Sequence, residues 1–408
     1  MRSHGGLVGA LAIAMLLCCA GPARAQTNVT FPDPNLEAAV RSALGKPTGA
    51  LTPADLGTLT TLYADWRQIT NLTGLEYMTN LTTVSLNYNA LSDVTPLGGL
   101  GNLRYMYLQS NRLSDARSLT GLSQLRWLDI SSNGLQDAAP LLALTNLESL
   151  TVDFNPLTNC AVVGGLVNLS QLSLRQLSIR DASFVSGLTN LNTLNLLENQ
   201  IETLPPLSGL RNLDWLDLSY NPLTNAAALS GVTNLTTLIL ENCPLVNVNF
   251  LSALARLNYL ELPYENLSDI SPLVGLTNLF LLNVIGNPLT NPAVLGSLAN
   301  LVALYAGSCS LTNLDFVGSL TQLNSLDLPG NRIADLAPIL GLSNLKYLNL
   351  DQNRLTNISG LQDLPVLDTV SLVQNLLDVS AGSPALTIIT NLQARGSRYI
   401  TNRRTSPR

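Results

Sequence analysis

Histidine is almost missing from this 408-residue chain, which holds only His4. That excludes Ser-His-Asp and Cys-His nucleophiles and histidine-ligated metal centres from the body of the protein. There is no G-x-x-x-x-G-K-[ST] phosphate loop, and no G-x-G-x-x-G follows a strand. A carboxylate pair such as Asp129 and Asp153 would suit glycoside hydrolysis without histidine. An open sheet implies no pocket around it, so neither an enzyme nor a cofactor is expected. Lysine is confined to Lys46 and Lys346, and charged residues make up 12% of the chain. Aromatic residues amount to 5%, so their placement carries information.

Long apolar runs are missing too, except for one from Leu7 to Ala20. It follows Arg2 and precedes Ala23-Arg24-Ala25, the pattern of a secretory signal peptide over residues 1–25 with Gln26 as the mature start. The run is too short to favour a membrane anchor. Leu17 stands before Cys18 where a lipid-attachment motif wants a small residue. A secreted, extracellular or cell-envelope protein is expected, with no membrane insertion after cleavage. Removing Arg2 and Arg24 from the net charge of −6 leaves −8. That argues against nucleic acid and anionic membranes as partners.

What is abundant is leucine, and it is periodic. Fifteen leucines from Leu59 to Leu367 recur every 22 residues without an insertion. Such self-similarity marks a solenoid. Counting offsets from each of these leucines, offsets 0, 3, 5 and 10 are aliphatic, as in Leu103, Met106, Leu108 and Leu113. Offset 8 is Asn in ten copies, among them Asn89, Asn111, Asn287 and Asn353. The alternation at offsets 3 and 5 predicts a half-buried strand. A buried Asn at offset 8 must satisfy its amide on backbone groups, and stacked copies would form a ladder. Asp or Asn at offset 12 predicts an N-cap for a short, 3₁₀-like turn. Offsets 16 and 19, as in Leu97 and Leu100, supply its apolar side.

This is L-x-x-L-x-L-x-x-N-x-L, the leucine-rich repeat signature. The strict 22-residue period with a short convex side resembles the internalin-type class of bacterial leucine-rich repeat proteins. Residues 28–80 resemble the N-terminal cap of that class: Asp33-Pro34 opens a helix with Leu36, Val40 and Leu44 on one face, and Thr52-Pro53 opens a second. The fold class expected is an α/β solenoid. It is a leucine-rich repeat horseshoe with a parallel concave sheet of about 15 strands and a short 3₁₀ or irregular convex side. The expected organisation is a signal peptide (1–25), a helical N-terminal cap (26–58), repeats (59–380) and a C-terminal cap with a basic tail (381–408). In the cap, residues 385–392 read as helix and 398–401 as a last strand. The Asn column also holds Cys243 and Cys309. They lie three repeats apart, roughly 14 Å at one strand per repeat, too far for a disulfide. Cys160 sits on another column.

Offsets 2, 4, 6 and 7 are expected to point out of the concave side, where nothing in the solenoid buries them. They hold all three tryptophans, Trp66, Trp127 and Trp215, and nine of the eleven tyrosines: Tyr63, Tyr88, Tyr105, Tyr107, Tyr220, Tyr259, Tyr264, Tyr305 and Tyr347. Phe154 joins them. Strand propensity alone would place some aromatics at the inward offsets 3 and 5, and none occurs there. Aromatics gathered on one face mark a recognition surface. The same columns are acidic, with Asp65, Asp129, Asp153, Asp217, Asp327, Asp351, Glu198, Glu241 and Glu261 against Arg175 alone. The binding centre is expected over Tyr63, Trp66, Tyr88, Tyr105, Tyr107 and Trp127, extending to Phe154. A second patch is expected around Trp215, Tyr220, Tyr259 and Tyr264.

These residues point to a monomeric binding protein whose concave face takes a basic or apolar protein or peptide. By resemblance, internalin-like proteins use this face for protein partners, often in adhesion. The alternatives are a carbohydrate-binding module, since aromatics stack on sugar rings and carboxylates bond hydroxyls, or a structural envelope component.

Overall fold

Each 22-residue copy spends only three residues, offsets 2–4, on strand. The computed structural model describes residues 28–396 and 398–400. The expected signal peptide, the start at Gln26 and the basic tail lie outside them. Fifteen repeat strands, from β1 (Thr61–Tyr63) to β15 (Thr369–Ser371), pair in parallel in sequence order, and β16 (Arg398–Ile400) adds a last strand beside β15. Every repeat pairing is in register at 22 residues, for example Tyr105↔Trp127 on β3 (Tyr105–Tyr107) and β4 (Trp127–Asp129). The convex return is made of short 3₁₀ turns such as Thr95–Leu97 and Arg117–Leu119. One continuous apolar core runs the length of the array, with Leu86, Leu108, Leu262 and Leu328 fully buried. No helix among the described residues is long and apolar enough to cross a membrane.

The two ends are closed by helices. Asp33 caps α1 (Pro34–Leu44), its Oδ1 accepting from the N–H groups of Asn35 (3.0 Å) and Leu36 (3.1 Å). Its other oxygen accepts from the Thr70 N–H (2.7 Å), tying the cap to the first repeat. α2 (Pro53–Leu56) carries a capping box between Thr52 and Asp55. At the far end α3 (Pro384–Ala394) is capped by Ser383 and buries Ile388, Ile389 and Leu392.

Asn159 and Asn291 of the offset-12 column stand at the expected N-cap position, though without a side-chain bond to the helix, and the aspartates of the column work differently. Asp93, Asp115, Asp181 and Asp335 each accept from the N–H two residues on, at 2.8 or 2.9 Å. The residue between them, such as Val94, is the helical N-cap and has no side-chain bond. The carboxylates close Asx-turns one residue ahead of the 3₁₀ segment.

The asparagine ladder is built as expected. Asn287, fully buried, donates through Nδ2 to the carbonyls of Leu262 (2.7 Å) in the preceding repeat and Val284 (2.8 Å) in its own. Its Oδ1 accepts from the Leu267 N–H (2.8 Å). A second ladder, unanticipated, lies at offset 21. There Asn80, Asn102, Asn146, Asn190 and Asn300, among others, donate to the carbonyl 23 residues back.

The breaks in the first ladder have a local cause. Proline stands at offset 9 in Pro156, Pro222, Pro244 and Pro288, and the next repeat then carries Leu177, Cys243, Glu265 and Cys309 in place of Asn. In seven other copies the offset-9 N–H donates across the repeats, as Ala90 does to Ile69 (2.9 Å). Proline lacks that donor. The cross-repeat bond moves two residues on, to Thr158, Val246 and Thr290. The N–H groups of Leu223, Leu245 and Leu289 turn back onto the carbonyls of residues 221, 243 and 287 at 2.6–2.8 Å. At Leu223 and Leu289 the next Asn would then lose a donor for its Oδ1, so the column is released, while Leu245 keeps a long bond to Glu265 (3.4 Å). Cys243 and Cys309 keep the donating half through Sγ, to Leu218 (3.3 Å) and Val284 (3.1 Å). Cys160, Cys243 and Cys309 are all free and buried.

Glu265 keeps the accepting half, taking the Cys243 N–H at 2.6 Å. Burial pushes its carboxyl up to about 7 against that bond. In the unfolded chain it ionises near its ordinary 4.5. Between those values the folded state holds a proton that the unfolded state has released, so this group's contribution is full below about 4.5 and is lost as pH rises through about 7. The expected result is a melting temperature that falls between pH 5 and 8, with a smaller fall in Glu265→Gln. Equal slopes in the two proteins would remove Glu265 as the cause.

Candidate recognition face

Two backbone environments present the outward residues. Offsets 2 and 4 lie on the strands. Offset 7 lies on the turn that leaves the strand, and all fifteen copies of it have positive φ, from Trp66 (60°) to Gln374 (59°). This region favours glycine and tolerates Asn, because a Cβ there crowds the carbonyl at a cost of about 1–2 kcal/mol. Only Asn242, Gly286 and Gly330 follow that preference. Five copies instead carry the bulky rings of Trp66, Tyr88, Phe154, Tyr220 and Tyr264.

These rings stay 37–71% exposed. Trp66 is 71% exposed, and its indole stacks on Tyr88 at 3.8 Å with an 8° interplanar angle. Phe154 lies under the Arg175 guanidinium, 5.3 Å from the ring centre. Tyr220 donates its hydroxyl to Glu241 (2.6 Å), which drives the phenol up to about 12. Tyr264 lies where a side chain on Gly286 would stand, 2.5 Å from a Cβ built there.

On the strands, Tyr63 and the Tyr105–Tyr107 pair wall a basin of about 510 Å³ floored by Thr83 and Ser85 on β2 (Thr83–Ser85). Burial raises the Tyr107 phenol, with Tyr63 and Tyr105 adding to the effect. Tyr107 tilts against Trp127 at 6.5 Å. The expected N-terminal patch thus comprises the Trp66–Tyr88 stack and, on the strands, the basin of Tyr63, Tyr105 and Tyr107 with Trp127 beside it. The second patch is looser: among the described residues no ring contact joins Trp215, Tyr220, Tyr259 and Tyr264. Tyr259 instead donates to Glu261 on its own strand.

The carboxylates are more structural than their column suggested. Asp65, Asp153 and Asp351 accept from the N–H groups of Asn87, Arg175 and Val373 one repeat on, at 2.6–2.8 Å, and from the hydroxyls of Ser85, Ser173 and Ser371. Asp129 and Asp217 hold the N–H groups of Ser131 and Ser219 where the strand ends. Asp153 and Asp217 are buried, and desolvation raises both carboxyls. They shape the turns that aim the aromatics. Glu198, Glu241 and Glu261 extend the negative field outward.

A second basin escaped the sequence reading. It measures about 370 Å³ and lies between Trp127 on β4 and Trp215 on β8 (Trp215–Asp217). Its floor is Ser149, Thr151, Gln171, Ser173, Thr193 and Asn195 from the three strands between. The available signal was three consecutive repeats with small or amide side chains at both offsets 2 and 4, bracketed by Trp-Leu-Asp on either side.

An in-register parallel sheet, an Asn ladder and 3₁₀ returns define a leucine-rich repeat protein, and the leucine rich repeat family model matches residues 79–135, 175–223 and 321–377. More narrowly, the chain is similar to internalins. It is 29% identical to an internalin from Listeria monocytogenes, with 83% of this chain and 95% of that one covered at a TM-score of 0.68. A leucine-rich repeat protein from Leptospira interrogans superposes with a TM-score of 0.73 at 22% identity, covering 86% and 97%. The functional domain of InlJ from Listeria monocytogenes, which includes a cysteine ladder, reaches 0.61 at 24% identity, covering 86% and 78%. Among curated proteins nothing matches. Leucine-rich repeat proteins of this kind generally mediate protein recognition, and the fold is typically a non-enzymatic scaffold.

Proposed function

We propose that this is a secreted or cell-surface protein that binds a protein or peptide partner on its concave face, without a catalytic step. The observation that carries the reading is the offset-7 column. Five of its fifteen left-handed positions carry bulky rings that stay 37–71% exposed, where the other copies carry Ser, Gln, Glu, Asn or Gly. Large exposed rings gathered on one face are a mark of recognition. The centre of the site is Tyr63, Trp66, Tyr88, Tyr105, Tyr107 and Trp127, extending to Phe154. Trp215, Tyr220, Tyr259 and Tyr264 form an outlying patch. Asp129, Asp153 and Asp217 set the turns and the sign of the field. Glu198, Glu241 and Glu261 beside Tyr220 and Tyr259 favour a partner with basic side chains next to apolar ones, because opposite charge steers and selects. Adhesion is the role that fits an envelope location.

Binding is expected to weaken as NaCl rises from about 50 to 500 mM, since exposed charge is screened over that range. The check is affinity for the captured partner at both concentrations. Salt-independent binding that also survives Tyr63→Ala would sink the reading.

A further inference from the structure

The basin between Trp127 and Trp215 differs from the acidic face around it. Its floor carries no charge, and Asp214 is the one carboxylate that lines it. Asp214 is already engaged, accepting from the Thr236 hydroxyl at 2.7 Å. The floor offers open hydrogen-bonding groups. Asn195 uses its Oδ1 on the Leu197 N–H (3.0 Å) and leaves its amide N–H groups free among the described residues. Gln171 is exposed, and its one contact is a long one, accepting from Ser149 Oγ at 3.4 Å.

Spacing decides what fits. The two tryptophans stand four strand steps apart, roughly 19 Å, and the floor groups recur every ~4.8 Å. An extended peptide laid across the strands advances roughly 3.3 Å per residue and falls out of step. An extended β-1,4-linked chain of pyranose rings advances by close to one strand spacing, ~4.8 Å, per ring, so successive rings stay near successive strands. Indole faces suit the C–H faces of sugar rings at either end, while amides and hydroxyls between them suit ring hydroxyls. Carboxylates elsewhere on the face disfavour a polyanion.

We propose that this basin binds a linear, uncharged oligosaccharide of about four or five pyranose rings, lying along the solenoid from Trp127 to Trp215. The inference goes beyond the protein-binding reading: it shares Trp127 and Trp215 with that face and adds the uncharged floor between them.

The test is tryptophan fluorescence and calorimetric titration of the protein with cellohexaose, xylohexaose and mannohexaose. At least one is expected to bind, with an affinity unchanged by NaCl. Trp127→Ala and Trp215→Ala should each weaken it at least about tenfold, with the melting curve of each variant confirming the fold. The matching disaccharide, too short to reach both walls, should bind at least about tenfold more weakly. Trp66→Ala/Tyr88→Ala should leave sugar binding intact even where it abolishes protein capture, which separates the two sites. Absence of binding by all three hexaoses would overturn the proposal. So would retained binding in the Trp127→Ala/Trp215→Ala double variant, or a disaccharide that binds as tightly as its hexaose.

Discussion

Asn287→Ala is expected to lower the stability of the repeat array by about 3 kcal/mol or more. The side chain joins two repeats through three bonds of 2.7–2.8 Å, to the Leu262 and Val284 carbonyls and from the Leu267 N–H. Alanine removes all of them and leaves those backbone groups unsatisfied in a site with no exposure. An unmade buried bond costs about 1–3 kcal/mol. Repeat arrays gain stability from nearest-neighbour contacts, so the loss should show as an early unfolding step near β11 (Leu281–Asn283). The control is Cys243→Ala, where the lost bonds are long sulfur contacts of 3.3 and 3.8 Å. Its cost should be clearly smaller. Urea unfolding of both variants reads the difference, and equal costs would contradict the ladder account.

The second large effect is on binding. Trp66→Ala/Tyr88→Ala is expected to weaken capture of the protein partner at least about 100-fold, the loss typical of two aromatic hot spots. The pair is stacked and presented to solvent, with Trp66 at 71% and Tyr88 at 37% exposure. Its contribution to folding is therefore small, about 1 kcal/mol for the stacking itself. The melting temperature should stay within a few degrees of wild type while affinity collapses. A variant that loses several kcal/mol of stability would make these rings structural.

The fold was legible because its information is periodic. An aliphatic column repeated fifteen times leaves the strand register no alternative, and the parallel pairing at 22 residues follows from it. Asp33-Pro34 and Thr52-Pro53 were readable because caps are local. The offset-12 aspartates were misread by one residue, since an Asx-turn and an N-cap use the same side chains on neighbouring N–H groups. The break in the ladder at Leu177 goes with Pro156 in the previous repeat, so it is not visible within a single copy.

The outward face was legible in outline, since the columns placed the exposed rings of Tyr63, Trp66, Tyr88, Tyr105, Phe154, Tyr220 and Tyr264 on it. They did not reveal that offset 7 is left-handed in every copy. Nor did they separate carboxylates that hold backbone, such as Asp153 and Asp217, from those that face solvent. The basin between Trp127 and Trp215 was missed because its floor consists of small residues, which a search for conspicuous side chains passes over.

The most direct measurement is oxidative footprinting of the aromatic side chains with and without the captured protein partner. The expected result is strong protection of Tyr63, Trp66, Tyr88 and Tyr105, with Tyr77, 44% exposed on the 3₁₀ turn Leu75–Tyr77, unchanged. Protection of Tyr77 with Trp66 and Tyr88 still fully reactive would contradict the assignment of recognition to the concave face.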